Sequence, residues 1–121
     1  MLEILEETWD KVLILRVSGE LTHEDTHHFF DAVDAKLATY GGARCLIELD
    51  DPKGLELRTI PDEIAFDRRY GKQLERCAIV GDHAWERWMV KIAKPFYPHT
   101  ELRFFDKSRK EEAMQWIHEG L

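Results

Sequence analysis

The run Val12-Leu13-Ile14-Leu15 is apolar without alternation, and that pattern restricts the chain more than any other. A strand with one wet face reads apolar, polar, apolar. A strand apolar at every position is covered on both faces, and flanking helices are the usual cover. Two similar runs, Cys45-Leu46-Ile47 and Cys77-Ala78-Ile79-Val80, read as further strands. Glu3 to Glu7 and Val12 to Val17 form an expected hairpin joined at Trp9-Asp10-Lys11. Ser18-Gly19-Glu20-Leu21 reads as a turn. Thr22 to Tyr40 is a helix that opens on a Thr-x-x-Asp cap, places Phe30, Val33, Leu37 and Tyr40 on one face, and stops at Gly41-Gly42. A strand from Ala43 to Leu49 then runs into Asp50-Asp51-Pro52-Lys53-Gly54, a loop by its turn chemistry. A second helix is expected from near Thr59, with Pro61 in its first turn, to about Gly71. A third follows Gly81-Asp82. Leu102 to Phe105 is the last strand, and Ser108 to Glu119 a fourth helix with Ala113, Trp116 and Ile117 inward.

Strand and helix therefore alternate after the opening hairpin, the order of an α/β fold with a mostly parallel sheet and right-handed crossovers. In open parallel sheets ligands gather beyond the carboxyl ends of the strands, which here places them at Ser18–Leu21, Asp50–Leu57 and Gly81–Ala84. The 121 residues suit one domain, 1–121. With 44% hydrophobic and 34% charged residues the chain is neither disordered nor membrane-spanning. Glu3, Glu6 and Glu7 break up any apolar leader, so a cytoplasmic address is expected. Cys45 and Cys77 lie inside apolar runs and read as buried thiols rather than a disulfide framework or metal knuckle. A formal charge of −7 argues against a nucleic-acid partner. The charge is uneven: residues 20–34 hold five carboxylates and no lysine or arginine, whereas 68–76 and 103–110 are rich in cations, which read as solvated helix faces.

The segment Cys77 to Tyr97 dominates the functional reading. Beyond Gly81, at 100° per residue, Trp85, Trp88, Met89, Ile92 and Phe96 share roughly a third of a helix circumference, with Arg87, Lys91 and Lys94 opposite. Such a face needs a cover: the protein's own sheet, a mobile neighbouring helix, an apolar guest or a membrane. On a bilayer the aromatic side would enter the headgroup boundary while Arg87, Lys91 and Lys94 met anionic lipid. The second helix carries only a thin stripe, Ile60, Ile64 and Phe66, beside Asp67, Arg68 and Arg69, so it is the least firmly held. Its opening would expose an apolar cleft lined by Leu57, Ile60, Ile64, Trp85, Trp88, Met89, Ile92 and Phe96. Plain core is the competing reading of the same stripe, because each large side chain buried against a sheet contributes about 1.5–3 kcal/mol.

Catalytic signatures are few. His23-Glu24-Asp25-Thr26-His27 matches H-E-x-x-H, the paired ligands and base of zinc peptidases, yet Thr22 makes His23 the first helical residue, an exposed and fraying position. A catalytic metal is not expected there, although weak metal binding by His23, His27 and His28 fits the spacing. No G-x-S-x-G elbow, phosphate-binding G-x-x-x-x-G-K-[ST] loop or dinucleotide G-x-G-x-x-G fingerprint occurs. Adjacent Asp50 and Asp51 on an extended loop point apart, so they make no acid–base pair. A non-enzymatic chain without a cofactor is expected.

Ser18-Gly19-x-Leu21-Thr22, Ile79-Val80-Gly81-Asp82 with Trp85, Pro95-Phe96-x-Pro98 and Phe104-Phe105-Asp106 resemble the SpoIIAA-like proteins, which share the fold of STAS and CRAL-TRIO (Sec14-type) domains. The resemblance implies a curved, mostly parallel sheet with an N-terminal antiparallel hairpin and about four flanking helices. It also implies one of two non-catalytic activities, carriage of an apolar or lipid-like molecule between helices that part, or STAS-type docking on a protein partner. The anti-sigma-antagonist relatives place a phosphorylatable hydroxyl after the third strand. Here that docking loop reads Asp50-Asp51-Pro52-Lys53-Gly54 and offers none, and Thr59, the nearest, suits a helix cap. The expectation is therefore an apolar-ligand domain in reversible contact with the inner membrane surface, with docking through Asp50, Asp51, Lys53 and Gly54 as the second reading and a metal site at His23 and His27 as a distant third.

Overall fold

A computed structural model describes residues 1–6, 10–55, 73–81 and 100–121, and of Glu6, Glu20, Leu21 and 51–55 the backbone alone. Along them run strands β1 (Leu2–Glu6) and β2 (Val12–Leu21), helix α1 (His23–Tyr40), strands β3 (Ala43–Leu55), β4 (Leu74–Gly81) and β5 (Glu101–Asp106), and helix α2 (Lys110–Ile117), entered through a 3-10 turn at Lys107–Arg109. The strands form one five-stranded sheet in the order β1-β2-β3-β4-β5. β1 pairs antiparallel with β2 and every later pairing is parallel. The mixed α/β architecture is thus the expected one. The helices expected at 59–71 and after Gly81 lie outside the described residues.

Two-residue periodicity divides the buried side chains between the two faces of the sheet. Leu13, Leu15, Ala43, Cys45, Leu74 and Cys77 pack under Val33 and Leu37 of α1. Their chain neighbours Val12, Ile14, Leu46, Ala78, Val80 and Phe105 face the other way, under Ala113, Trp116 and Ile117 of α2. Val12 and Leu15 are both wholly buried, which is the physical content of the unbroken apolar run. α2 spans eight residues, so it covers only part of its face. Beyond it the same alternation places the half-buried Arg16 and Glu48 on that face, and Glu48 joins Arg16 (3.7 Å) and Lys110 (3.0 Å). Among the described residues, that end of the face is polar.

α1 begins as its sequence dictates. Thr22 accepts a hydrogen bond from the Asp25 amide (3.1 Å), and the Asp25 carboxylate accepts one from the Thr22 amide (3.0 Å), closing a capping box. It ends on Gly41 at φ 74°, a left-handed conformation that glycine adopts without penalty. The inward face is shorter than expected. Val33 and Leu37 are buried and Phe30 half-buried, but Tyr40 is 38% exposed, with the Lys36 ammonium 5.4 Å from its ring centre. The terminal residue of the helix lies past the edge of the core. α2 is anchored at its carboxyl end by two arginines of the sheet. Arg44 donates to the carbonyls of Ile117 (3.2 Å) and Glu119 (2.7 Å), and Arg76 to that of Trp116 (2.8 Å). These are carbonyls that a helix end leaves without intrahelical partners. The guanidinium of Arg76 also sits 5.0 Å from the Trp116 ring centre.

The strand ends depart from the sequence reading. Ser18–Leu21 is no turn and Asp50–Leu55 no loop: Ser18 pairs with Asp50, Gly19 with Pro52, Glu20 with Gly54 and Leu21 with Leu55. Two register shifts, around Gly19, absorb the residues that looked like turn formers. Gly19 stands at φ 61°, open to glycine at little cost. Pairing of β3 with β4 ends at Glu48 opposite Val80, so among the described residues Pro52 has a strand on one side only, where a missing N–H is tolerated.

Candidate functional site

Three surfaces of the described structure bear chemistry. The first lies at the carboxyl ends of β2 and β3, where Leu21 passes through Thr22 into α1. The capping box holds the first turn of α1, and the chain's amino group lies 3.6 Å from the Asp25 carboxylate after donating to the Ser18 carbonyl. Partial burial works to raise the Asp25 carboxyl, but the Thr22 hydrogen bonds and the neighbouring amino group outweigh it and hold the carboxyl below its ordinary range. On this turn the rings of His23 and His27 meet edge to face, centroids 4.4 Å apart, with their Nε2 atoms 3.0 Å from each other. His23 is half-buried and His27 exposed. The capping box orders the position that sequence reasoning left to fray. Among the described residues no group of three His, Cys, Asp or Glu side chains converges on a metal position, so the peptidase constellation is not assembled there.

The second surface is the α1 side of the sheet toward β5. Ile47, Ile79 and Leu102 occupy successive strands β3, β4 and β5 and pack against the cluster under α1 while remaining half-buried. Beside them the thiols of Cys45 and Cys77, which share a register position across β3 and β4, are buried and free. Burial pushes both thiols up, Cys77 to about 12, and Cys45 feels its neighbour as well. They are inert as nucleophiles at neutral pH. Their pairing was invisible in sequence because strand register has no signature in residue spacing.

The third is an open groove of about 630 Å3 between β5 and α2, lined by Arg103, Phe105, Arg109, Glu112, Trp116 and Glu119 among others. Its charges are largely matched: Arg109 bonds Glu112 at 2.5 Å and Glu119 lies 3.4 Å from Arg76. The Arg103 guanidinium lies 5.7 Å from the Phe105 ring centre and 5.5 Å from that of Trp116. Most of the basic run near the C-terminus is therefore engaged within the fold, Lys107 with Asp50 (3.8 Å) and Lys110 with Glu48 included.

Of the residues singled out from sequence, Leu57, Ile60, Ile64, Trp85, Arg87, Trp88, Met89, Lys91, Ile92, Lys94 and Phe96 lie outside the described residues. Asp50 is exposed on β3, and Asp51, Lys53 and Gly54 continue that strand rather than forming a docking loop. No helix among the described residues is long and apolar enough to cross a membrane.

A five-stranded mixed sheet with an antiparallel first pair, helices on both faces and the start of a helix at the carboxyl end of β2 defines a small α/β protein. The chain belongs to the SpoIIAA-like family, whose model matches residues 12–118. It is similar to an uncharacterised protein of the DUF3478 family with a SpoIIAA-like fold from Shewanella loihica PV-4, known from a crystal structure. The two share 28% identity over 97% of this chain and 92% of that one, with a TM-score of 0.73. No curated protein matches.

Proposed function

We propose that this protein is a non-enzymatic binding domain for an apolar or lipid-like molecule, held against the α1 side of the sheet and exchanged at the inner membrane surface from the cytoplasm. The observation that carries the reading is the group Ile47, Ile79 and Leu102, an apolar floor across three parallel strands that stays half-buried. Apolar floors of this kind line ligand sites. At helical spacing the sequence after Gly81 puts Trp85, Trp88, Met89, Ile92 and Phe96 on one side and Arg87, Lys91 and Lys94 on the other. In this reading the aromatic side meets the guest and the basic side meets anionic headgroups.

Co-sedimentation with phosphatidylglycerol vesicles tests it. Wild type is expected to pellet with the vesicles, and Trp85→Glu/Trp88→Glu protein, shown to be folded by circular dichroism, to stay in the supernatant. A wild type that neither pellets nor takes up a fluorescent fatty acid overturns the reading and leaves STAS-type protein docking in its place.

A further inference from the structure

We propose that His23 and His27 form a bidentate site for a divalent transition-metal ion, copper(II) before nickel(II). Residues four apart on a helix face the same way, and here the two Nε2 atoms have already converged to 3.0 Å. The spacing admits an ion. Two imidazole nitrogens at about 2.0–2.1 Å from one centre lie about 2.9 Å apart if they subtend a right angle and about 3.3 Å apart at the tetrahedral angle. The observed 3.0 Å is the length of the N–H···N hydrogen bond that joins the rings, and an ion taking the place of that proton needs only a small change in it. Copper(II) comes first because it stands highest in affinity for nitrogen donors.

The rings need little rearrangement. One Nε2–H donates to the other Nε2, and for an ion to bind both nitrogens the donor ring carries its proton on Nδ1 instead. No net proton is lost. Electrostatics favour a cation as well: Glu24 and Asp25 occupy the first turn of α1, Asp31 and Asp34 follow, and residues 20–34 contain no lysine or arginine. The positive end of the helix dipole and the chain's amino group, 3.6 Å from the Asp25 carboxylate, oppose the ion, and Glu24 and Asp25 offset them in part. The capping box of Thr22 and Asp25 fixes the backbone that carries His23.

Calorimetric titration of the untagged full chain with copper(II) in a non-coordinating buffer, paired with electron paramagnetic resonance, tests this. One ion per chain is expected, with two nitrogens in its equatorial plane and a rise in melting temperature on binding. His23→Ala and His27→Ala should each weaken binding at least tenfold, and His28→Ala, at an exposed neighbouring position, should leave it unchanged. Binding by His27→Ala equal to wild type, or a wild-type spectrum without two equatorial nitrogens, overturns the proposal. The spectrum of the wild type decides even if a variant fails to fold.

Discussion

Single side chains in this fold are constrained most tightly where strands meet. Gly42 precedes β3, and a Cβ placed there would stand 2.6 Å from Glu75 Oε2 and 3.4 Å from Lys11 Nζ. Glu75 accepts from Lys11 (2.7 Å) and from Arg44 (2.9 Å), so Gly42→Ala displaces the end of that side chain and strains both ion pairs. A loss of up to about 1 kcal/mol is expected, read as a lower urea midpoint. Gly41→Ala is the comparison: open space surrounds its Cβ, but φ 74° strains any L side chain, and a loss nearer 1 kcal/mol is expected. The thiols give a second test at this scale. Cys45 and Cys77, both buried, should resist Ellman's reagent in the native protein and react fully in guanidinium. Rapid modification of either in the native state would contradict their placement.

At the scale of elements, α1 depends on its cap. Thr22→Ala removes the acceptor for the Asp25 amide and should cost about 1 kcal/mol of unfolding free energy, measured by chemical denaturation. The same box is why α1 was legible in sequence: Thr22-x-x-Asp25 opened it and Gly41-Gly42 closed it, both local signals. α2 was legible for a similar reason, since Ala113, Trp116 and Ile117 fall on one face, and these three are buried. The extensions of β2 and β3 were not. Gly19, Pro52 and Gly54 are turn formers by local chemistry, and only the pairing of one strand end with the other, a long-range event, makes them strand residues. Tyr40 shows the converse, a correct helical period that outruns the core it was expected to join. For the site, H-E-x-x-H placed His23 and His27 on one helix face, but the 3.0 Å approach of their rings depends on rotamers that spacing does not specify.

For the whole molecule, stability should fall on both sides of neutrality. Asp25 and Glu75 both titrate lower when folded. For Glu75, partial burial works to raise the carboxyl, and hydrogen bonds from Lys11 and Arg44 outweigh it. As pH drops the unfolded chain takes up protons first, so the stability these carboxylates lend is complete above their ordinary values of 3.8 and 4.5 and is lost as pH falls through the folded ones. Glu75→Gln should flatten the acid limb of a plot of melting temperature against pH. The thiols act in the opposite sense. Raised when folded, Cys77 to about 12 from 9.0, they lend stability that is intact below pH 9 and declines above it as the unfolded chain releases protons first. Cys77→Ala should make the alkaline limb shallower. The arginine anchorage of α2 also sets the order in which the molecule can be finished. Val12, Ile14, Leu46, Ala78 and Val80 come from three strands made early, yet their lid is Trp116 and Ile117, whose carbonyls Arg76 and Arg44 hold. During synthesis these five side chains therefore wait for their contacts with Trp116 and Ile117 until translation passes residue 117, and a nascent chain stalled before that point has made the strands without the helix that packs on them.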